Sequence, residues 1–280
     1  MRKIALVTDS TADLAEELQK EHDIHVIPLK VRFGNREYMA HQIASEEFYR
    51  LLSEEEELPQ TSQPTPEQFE QLYGELLKEY DEIISIHISS GLSGTLNAAH
   101  LAKERHQARI HVIDSKTISL GMGLMVLDAA RYIKEGLEGL QIVDKLTSVR
   151  KNIETMFTLN TLEYLQKGGR IGKVEGLLGS FLNIKPVIRV GDDGIYHTYT
   201  KVRNQRRALQ AIVTAIRELT KGRKRIKLSV AHGDAFAAGQ YLKESLEKAF
   251  DLKAAIFTQV GPVIGVHTGP GTVGAAVQFE

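Results

Sequence analysis

Between an apolar run, IISIHI, and a helix-like pattern, LNAAHLAKERHQ, the chain reads SSGLSGT, Ser89 to Thr95. Three kinds of chemistry fit a turn that sets hydroxyls and glycines where a strand hands over to a helix. A serine there caps the helix by accepting a backbone N–H bond. A serine there is also a nucleophile when the turn is G-x-S-x-G, and GLSGT departs from that motif only by Thr95 in place of the last glycine. Such a hydrolase needs an acid and a base, and Asp234 and His267 follow Ser93 in the order an α/β hydrolase uses. Third, hydroxyls and backbone N–H groups at a helix N-terminus form a cradle for an anion, helped by the helix dipole.

Other glycine-rich stretches lack the context their motifs require. GPGTVG (Gly269 to Gly274) matches G-x-G-x-x-G, but only six residues follow it. A dinucleotide site needs a helix there and an acidic residue about 20 positions on. GGRIGKV (Gly168 to Val174) is one residue short of a Walker loop, with Val174 where a magnesium-binding Ser or Thr belongs. In DSTAD, Thr11 stands where an aspartyl-phosphate loop of the DxD type has its second Asp. The ten histidines show no H-x-H or H-E-x-x-H spacing, so no metal is expected. With no cysteine, disulfides, thiol nucleophiles and thiolate metal sites are excluded.

The elements that must position the Ser89–Thr95 turn alternate. KIALVTDS, HVIPLKVRF, IISIHISS and RIHVIDS are apolar runs ending in polar turns, with helical patterns such as TPEQFEQLYGELLKEY and ISLGMGLMVLDAARYIKEG between them. Near-continuous apolar strands alternating with helices imply an α/β unit with a mostly parallel sheet covered on both faces. Asp9-Ser10, Ser89-Ser90 and Asp114-Ser115 close three of these runs and are expected to cap the helices after them. After Asn152 the rhythm changes. KPVIRV and IYHTYTKV flank a turn at Gly191 to Gly194 and read as a hairpin. Helices over QRRALQAIVTAIREL and FAAGQYLKESLEKAF, and strands over IKLSVAHG, KAAIFTQV and TVGAAVQF, complete an α+β unit. The expected domains are 1–152 and 153–280.

The formal net charge of −1 gives no general attraction to nucleic acid or to an anionic membrane. The one basic cluster, Lys221 to Lys227, falls between a helix and a strand pattern and reads as a solvated loop. No apolar run approaches the ~18 residues of a membrane span. MRKIALVTDS turns polar too early for a signal peptide. A cytoplasmic protein is expected.

Seven stretches, in order from Val7 to Gly271, resemble the DegV family of bacterial fatty-acid-binding proteins: VTDSTADL, TSQPTPEQF, SSGLSGT, VIDSKTISLGMG, TLEYLQKGGRIG, LNIKPVI and GPVIGVHTGPG. One departure is MAHQI after Tyr38, where the family usually has an Asp-Gly turn. The resemblance implies an N-terminal domain with a parallel sheet, a C-terminal α+β domain, and one long-chain fatty acid in a tunnel between them. It implies no cofactor. It implies that the carboxylate meets Thr61, Ser62, Ser93, Gly94 and His267, with Arg170 near the head group or on a partner surface. The partner implied is the catalytic subunit of an ATP-dependent fatty acid kinase, which forms the acyl phosphate.

The chemistry of these residues suits a carboxylate, which needs several donors aimed at two oxygens. Hydrogen bonds to a charged group contribute roughly 1.5–3 kcal/mol each. The tail contributes more: at ~0.8 kcal/mol per methylene, a 16-carbon acid gains roughly 11–12 kcal/mol before association costs. ISLGMGLMVL and GLLGSFL are candidate tunnel linings, though most of their positions read as helix core.

Overall fold

The computed structural model describes residues 2–176 and 184–280, so most of the GLLGSFL run lies outside the described residues. The first half runs β1 (Ile4–Asp9), α1 (Glu16–Glu21), β2 (Ile24–Ile27), β3 (Lys30–Phe33), β4 (Arg36–Met39), α2 (Ser45–Glu54) and β5 (Gln60–Ser62). It continues with α3 (Pro66–Leu76), β6 (Glu82–His87), α4 (Thr95–Lys103), β7 (Arg109–Asp114), α5 (Ser119–Lys134) and α6 (Gly139–Arg150). Strands β2-β1-β6-β7 form an all-parallel sheet. β1 and β6 are buried at every position, as expected of strands covered on both faces.

HVIPLKVRF, expected to be one strand, is two strands in different sheets. Pro28 has no N–H to donate to a ladder, and the next N–H, that of Leu29, donates to Ser10 Oγ at 3.0 Å. The chain therefore leaves the parallel sheet after β2. β3 instead centres a small antiparallel sheet, β4-β3-β5, which pairs Val31 with Thr61 and Lys30 with Ser62. The MAHQI segment leaves β4 through a 3-10 turn at Ala40–Gln42.

The second half comprises β8 (Ile153–Thr158), α7 (Glu163–Lys167), β9 (Lys185–Val190), β10 (Tyr196–Val202), α8 (Gln205–Leu219) and β11 (Ile226–Gly233). It ends with α9 (Phe236–Phe250), β12 (Ile256–Gln259), α10 (Pro262–Thr268) and β13 (Thr272–Phe279). The mixed sheet is ordered β10-β9-β8-β13-β11-β12, with β11 and β12 its only parallel pair among the described residues. β9 and β10 form the expected hairpin. GPGTVG runs into β13 rather than into a helix. The basic run Lys221–Lys227 makes the turn into β11, where Arg225 pairs with Glu280.

Helix α5 lies between the two large sheets. Ser119 to Val126 are buried without a break, because the helix is apolar on every side and needs cover on every side. One continuous apolar cluster joins Leu6 and Ile84 of the parallel sheet, Met122 and Met125 of α5, and Phe157, Ala231 and Ala276 of the mixed sheet. Gly121 permits the close approach: a Cβ there would lie 2.3 Å from Thr155 Oγ1. The buried Asp128 carboxylate ties the far end of α5 to the mixed sheet by accepting from Lys227 Nζ and Gln278 Nε2, each at 2.5 Å. Helices α8 and α9 cover the opposite face of that sheet, around Ile212 and Leu242.

The polar end of β1 is fixed by a buried carboxylate. Asp9 Oδ1 accepts from the N–H and hydroxyl of Thr11, and Oδ2 accepts from the N–H of Ile88 and from His87 Nδ1 at 3.0 Å. The line continues from His87 Nε2 to Ser85 Oγ at 2.7 Å and on to the Tyr73 hydroxyl at 2.9 Å. Asp9, Ser85, His87 and Tyr73 are each 0 % exposed. Removing the acceptor strands several buried donors, each costing about 1–3 kcal/mol. Asp9→Ala should therefore lower the unfolding free energy by about 3 kcal/mol or more in a denaturant titration; a loss below about 1 kcal/mol would show that this network does not hold the end of β1.

Candidate functional site

Four segments meet at the C-terminal end of α10. β5 brings Thr61, whose hydroxyl lies 2.9 Å from His267 Nε2 on α10. His267 Nδ1 lies against Gly168, just after α7, where a Cβ would fall 2.3 Å from it. From the same turn Arg170 donates through Nε to Leu92 O at 3.1 Å and through a terminal nitrogen to Gly168 O at 2.8 Å. Leu92 belongs to the turn before α4, whose Gly94 returns to the extension of β5: a Cβ on Gly94 would lie 2.2 Å from Gln63 Oε1. Thr61, His267, Gly168, Arg170, Leu92–Gly94 and Gln63 therefore form a ring of successive contacts.

Thr61, Gly168, Arg170 and His267 line an open cleft of about 440 Å³ together with Tyr164 and Lys167. Its charge is positive from Arg170, while Lys167 pairs with Glu163 at 2.6 Å. His267 adds no charge: burial, with Arg170 beside it, lowers its pKa to about 4. Its Nδ1 is buried and has no hydrogen-bond partner among the described residues. A neutral imidazole with one free ring nitrogen, a hydroxyl and a guanidinium together suit an oxyanion.

α10 carries this polar end into an apolar interior. Ile264 and Thr268, one turn apart on α10, line a small cavity of about 40 Å³ between α5 and the mixed sheet, with Ile118, Leu120, Phe157 and Ala276. ISLGMGLMVL thus contributes its first residues to a cavity and the rest to helix core, as expected.

Thr61, His267 and Arg170 come together directly. Ser93 and Gly94 adjoin them through Leu92 and Gln63 but do not line the open cleft. Ser93 Oγ lies 2.9 Å from Thr95 Oγ1 and accepts from the Thr95 N–H at 3.3 Å, a bond within the turn before α4 and not the helix cap that its position suggested. Ser62 is exposed and follows Thr61 on the strand, so alternation turns it to the other face of the small sheet. Asp9 caps the 3-10 turn after β1 as expected. α4 and α5, however, begin at Gly94 and Ile118 with no side-chain cap. Asp114 instead bonds within its own turn and to Ser90. Gln63 and Gly168 were missed by sequence reasoning. Strand alternation from Thr61 is the signal that points to Gln63.

The serine-nucleophile arrangement does not form. Ser93 is bonded to Thr95, His267 to Thr61, and no carboxylate among the described residues accepts from His267. The Ser-His-Asp geometry that does exist, Ser85–His87–Asp9, is sealed from solvent and further occupied by Tyr73.

Because the folded pKa of His267 lies below its ordinary 6.5, the unfolded chain takes up the proton first. Its burial therefore lowers stability as pH falls from about 6.5 toward 4 and has no effect above that window. Histidine ring signals followed by NMR should show His267 unchanged from pH 8 to about 5.5. Arg170→Ala should move its midpoint upward; titration of His267 near 6.5 in the unmodified protein would contradict this electrostatic picture.

Comparison with known proteins gives one consistent family. A model described as an uncharacterised protein of the DegV family matches residues 3–280. A DegV domain-containing protein of Clostridium acetobutylicum is 39% identical over 284 residues, covering 100% of both chains. Among solved structures, one described as the fatty acid binding of a DegV family protein from Thermus thermophilus has a TM-score of 0.95 at 35% identity over 100% of both chains. A stearic acid-binding protein from Eubacterium ventriosum has a TM-score of 0.91 at 29% identity, covering 100% of this chain and 98% of that one. From Lys3 to its last residue, the chain belongs to the DegV family.

Proposed function

We propose that this protein binds one long-chain fatty acid, with the carboxylate in the Thr61–His267–Arg170 ring and the acyl tail in the seam beneath α10. The observation that carries this reading is the continuity of α10, which presents His267 to a positively charged polar cleft and Ile264 and Thr268 to an apolar cavity. It is supported by the structural relatives described as fatty-acid-binding proteins. The Thr61–His267 pair has one proton to give the carboxylate, from the Thr61 hydroxyl or from His267 Nδ1 according to the tautomer, and Arg170 supplies the countercharge. Ser93 and the first N–H groups of α4, which no residue within the helix accepts from, complete the cradle. Gly94 keeps that turn close to Gln63. Ser62 takes no part through its side chain.

At about 40 Å³ the cavity is small for an acyl chain. Loading an acyl chain therefore requires the seam to widen. In this reading residues 1–152 and 153–280 act as two domains that part slightly along α5 and α10. No helix among the described residues is long and apolar enough to cross a membrane. We place the carrier in the cytoplasm.

The sequence has no phosphate loop, and a carboxylate held at an open, cationic mouth is placed to react with a phosphate brought by another protein. We infer that a separate ATP-dependent kinase is the partner. A carboxylate oxygen bonds to the γ-phosphorus of ATP as the bond to the β–γ bridging oxygen breaks, giving acyl phosphate and ADP. This chain's part is to orient the carboxylate and keep the tail from water.

Solvent extraction and mass spectrometry should find near one fatty acid per chain in gently purified protein. Ser93→Ala should weaken head-group binding by about 1.5–3 kcal/mol, less than the tail contributes, so some acid remains bound. Acyl phosphate formation with a partner kinase should fall further than occupancy, because a misaimed carboxylate reacts poorly. Absence of fatty acid, together with no uptake of added acid, would defeat the reading; unchanged occupancy and phosphorylation in Ser93→Ala would leave Ser93 only its local bonds to Thr95.

A further inference from the structure

The far end of the apolar seam is closed by a wall one residue thick. On the seam side stand Ser119 and Val260. On the other side stand Asp13 and Gly261, which line a second cleft of about 530 Å³. The two sides are fastened across the wall. Ser119 Oγ donates to Asp13 Oδ2 at 2.5 Å, and the Gly261 N–H donates to Asp13 Oδ1 at 3.0 Å. A Cβ on Gly261 would lie 2.8 Å from the same carboxylate, so only glycine lets the carboxylate sit there. Both fastening residues hold backbone conformations that L side chains rarely adopt, with φ 51° at Asp13 and 49° at Ser119. Such conformations persist where surrounding contacts over-determine them, and they cluster at clamps and switches.

The length of α10 says what this wall faces. Its seven residues run about 10 Å from the wall to the head-group ring. An extended long-chain acid is longer than that, so its tail must fold back within the seam or continue past the wall. The space past the wall offers a tail Leu14, Val26, Pro28, Ile43 and Pro262, set among polar residues that include Glu16, Lys20 and His41. Burial also pushes the Asp13 carboxyl up to about 7, against the opposing hydrogen bonds from Ser119 and Gly261, so it is about half protonated near neutrality.

We propose that the Asp13–Ser119–Gly261 knot is the chain-length gate of this protein: it stops the methyl end of the acyl tail, and opening it lets longer tails thread into the Asp13 cleft. Asp13 and Ser119 are specificity-determining residues in this inference, which rests on the fatty-acid reading given above.

The test uses saturated fatty acids from 12 to 22 carbons with the full chain, unmodified and with Asp13→Gly or Ser119→Gly. Glycine suits the positive φ at either position, so both variants remove the side chain without adding backbone strain. In the unmodified protein, affinity should rise with each added pair of carbons and stop rising at one length. In both variants that break should move to longer acids, with the affinity ratio of the 20-carbon to the 16-carbon acid rising at least tenfold. The 16-carbon acid should still bind to both variants, which shows that they fold. Affinity rising without a break in the unmodified protein, or an unmoved break in variants that bind the 16-carbon acid normally, overturns the gate and leaves the fatty-acid reading intact. No binding of any acid by the unmodified protein overturns both.

Discussion

Helix α5 sets the architecture, because it cannot be left uncovered. Eight consecutive residues, Ser119 to Val126, are buried, so both sides of the helix must be packed. The parallel sheet covers one side and the mixed sheet the other, which leaves a seam between them rather than two separate cores. Each methylene withdrawn from water there contributes about 0.8 kcal/mol. The same property makes the seam a favourable place for an acyl chain. Polar anchors at both ends of the helix keep the layers in register: Asp128 with Lys227 and Gln278 at one end, Ser119 with Asp13 at the other.

Polarity in this molecule is divided between sealed and open networks. The Asp9–His87–Ser85–Tyr73 line is fully satisfied and dry, and it fixes where β1 and β6 end. The Thr61–His267–Arg170 ring is open and incompletely satisfied, with an orphaned nitrogen on His267. Buried polar atoms without partners are costly, so the two networks differ in kind. The first is a structural clasp, despite its resemblance to a nucleophile–base–acid relay. The second retains capacity for a ligand. Burial keeps His267 neutral, so the positive charge of the mouth rests on Arg170 rather than on a titrating imidazole.

Much of this was legible in the sequence, for physical reasons that differ by region. Continuous apolar runs such as IALVTD and EIISIH, alternating with helical patterns, read as strands buried on both faces, and they are. The Gly191–Gly194 turn marked its hairpin because four turn-forming residues separate two strand patterns. The small antiparallel sheet was not legible. Its strands are short, and Pro28 reads equally well as an irregularity within one strand or as the break between two. The site was legible only through its motif set. Thr61 and His267 are 206 residues apart and meet through tertiary packing alone. Gln63 and Gly168 carried no chemical signal of their own, and nothing in the order of Ser93, Asp234 and His267 showed that they would not meet.

The central claim is that a carboxylate sits, ionised, in the ring around His267. Palmitic acid labelled with ¹³C at its carboxyl carbon tests it most directly by NMR. One saturable bound signal per chain is predicted, at the chemical shift of a carboxylate, constant from pH 8 to about 5.5 and close in space to the His267 ring protons. A bound carboxyl signal that titrates as free acid does, with no proximity to His267, would contradict it.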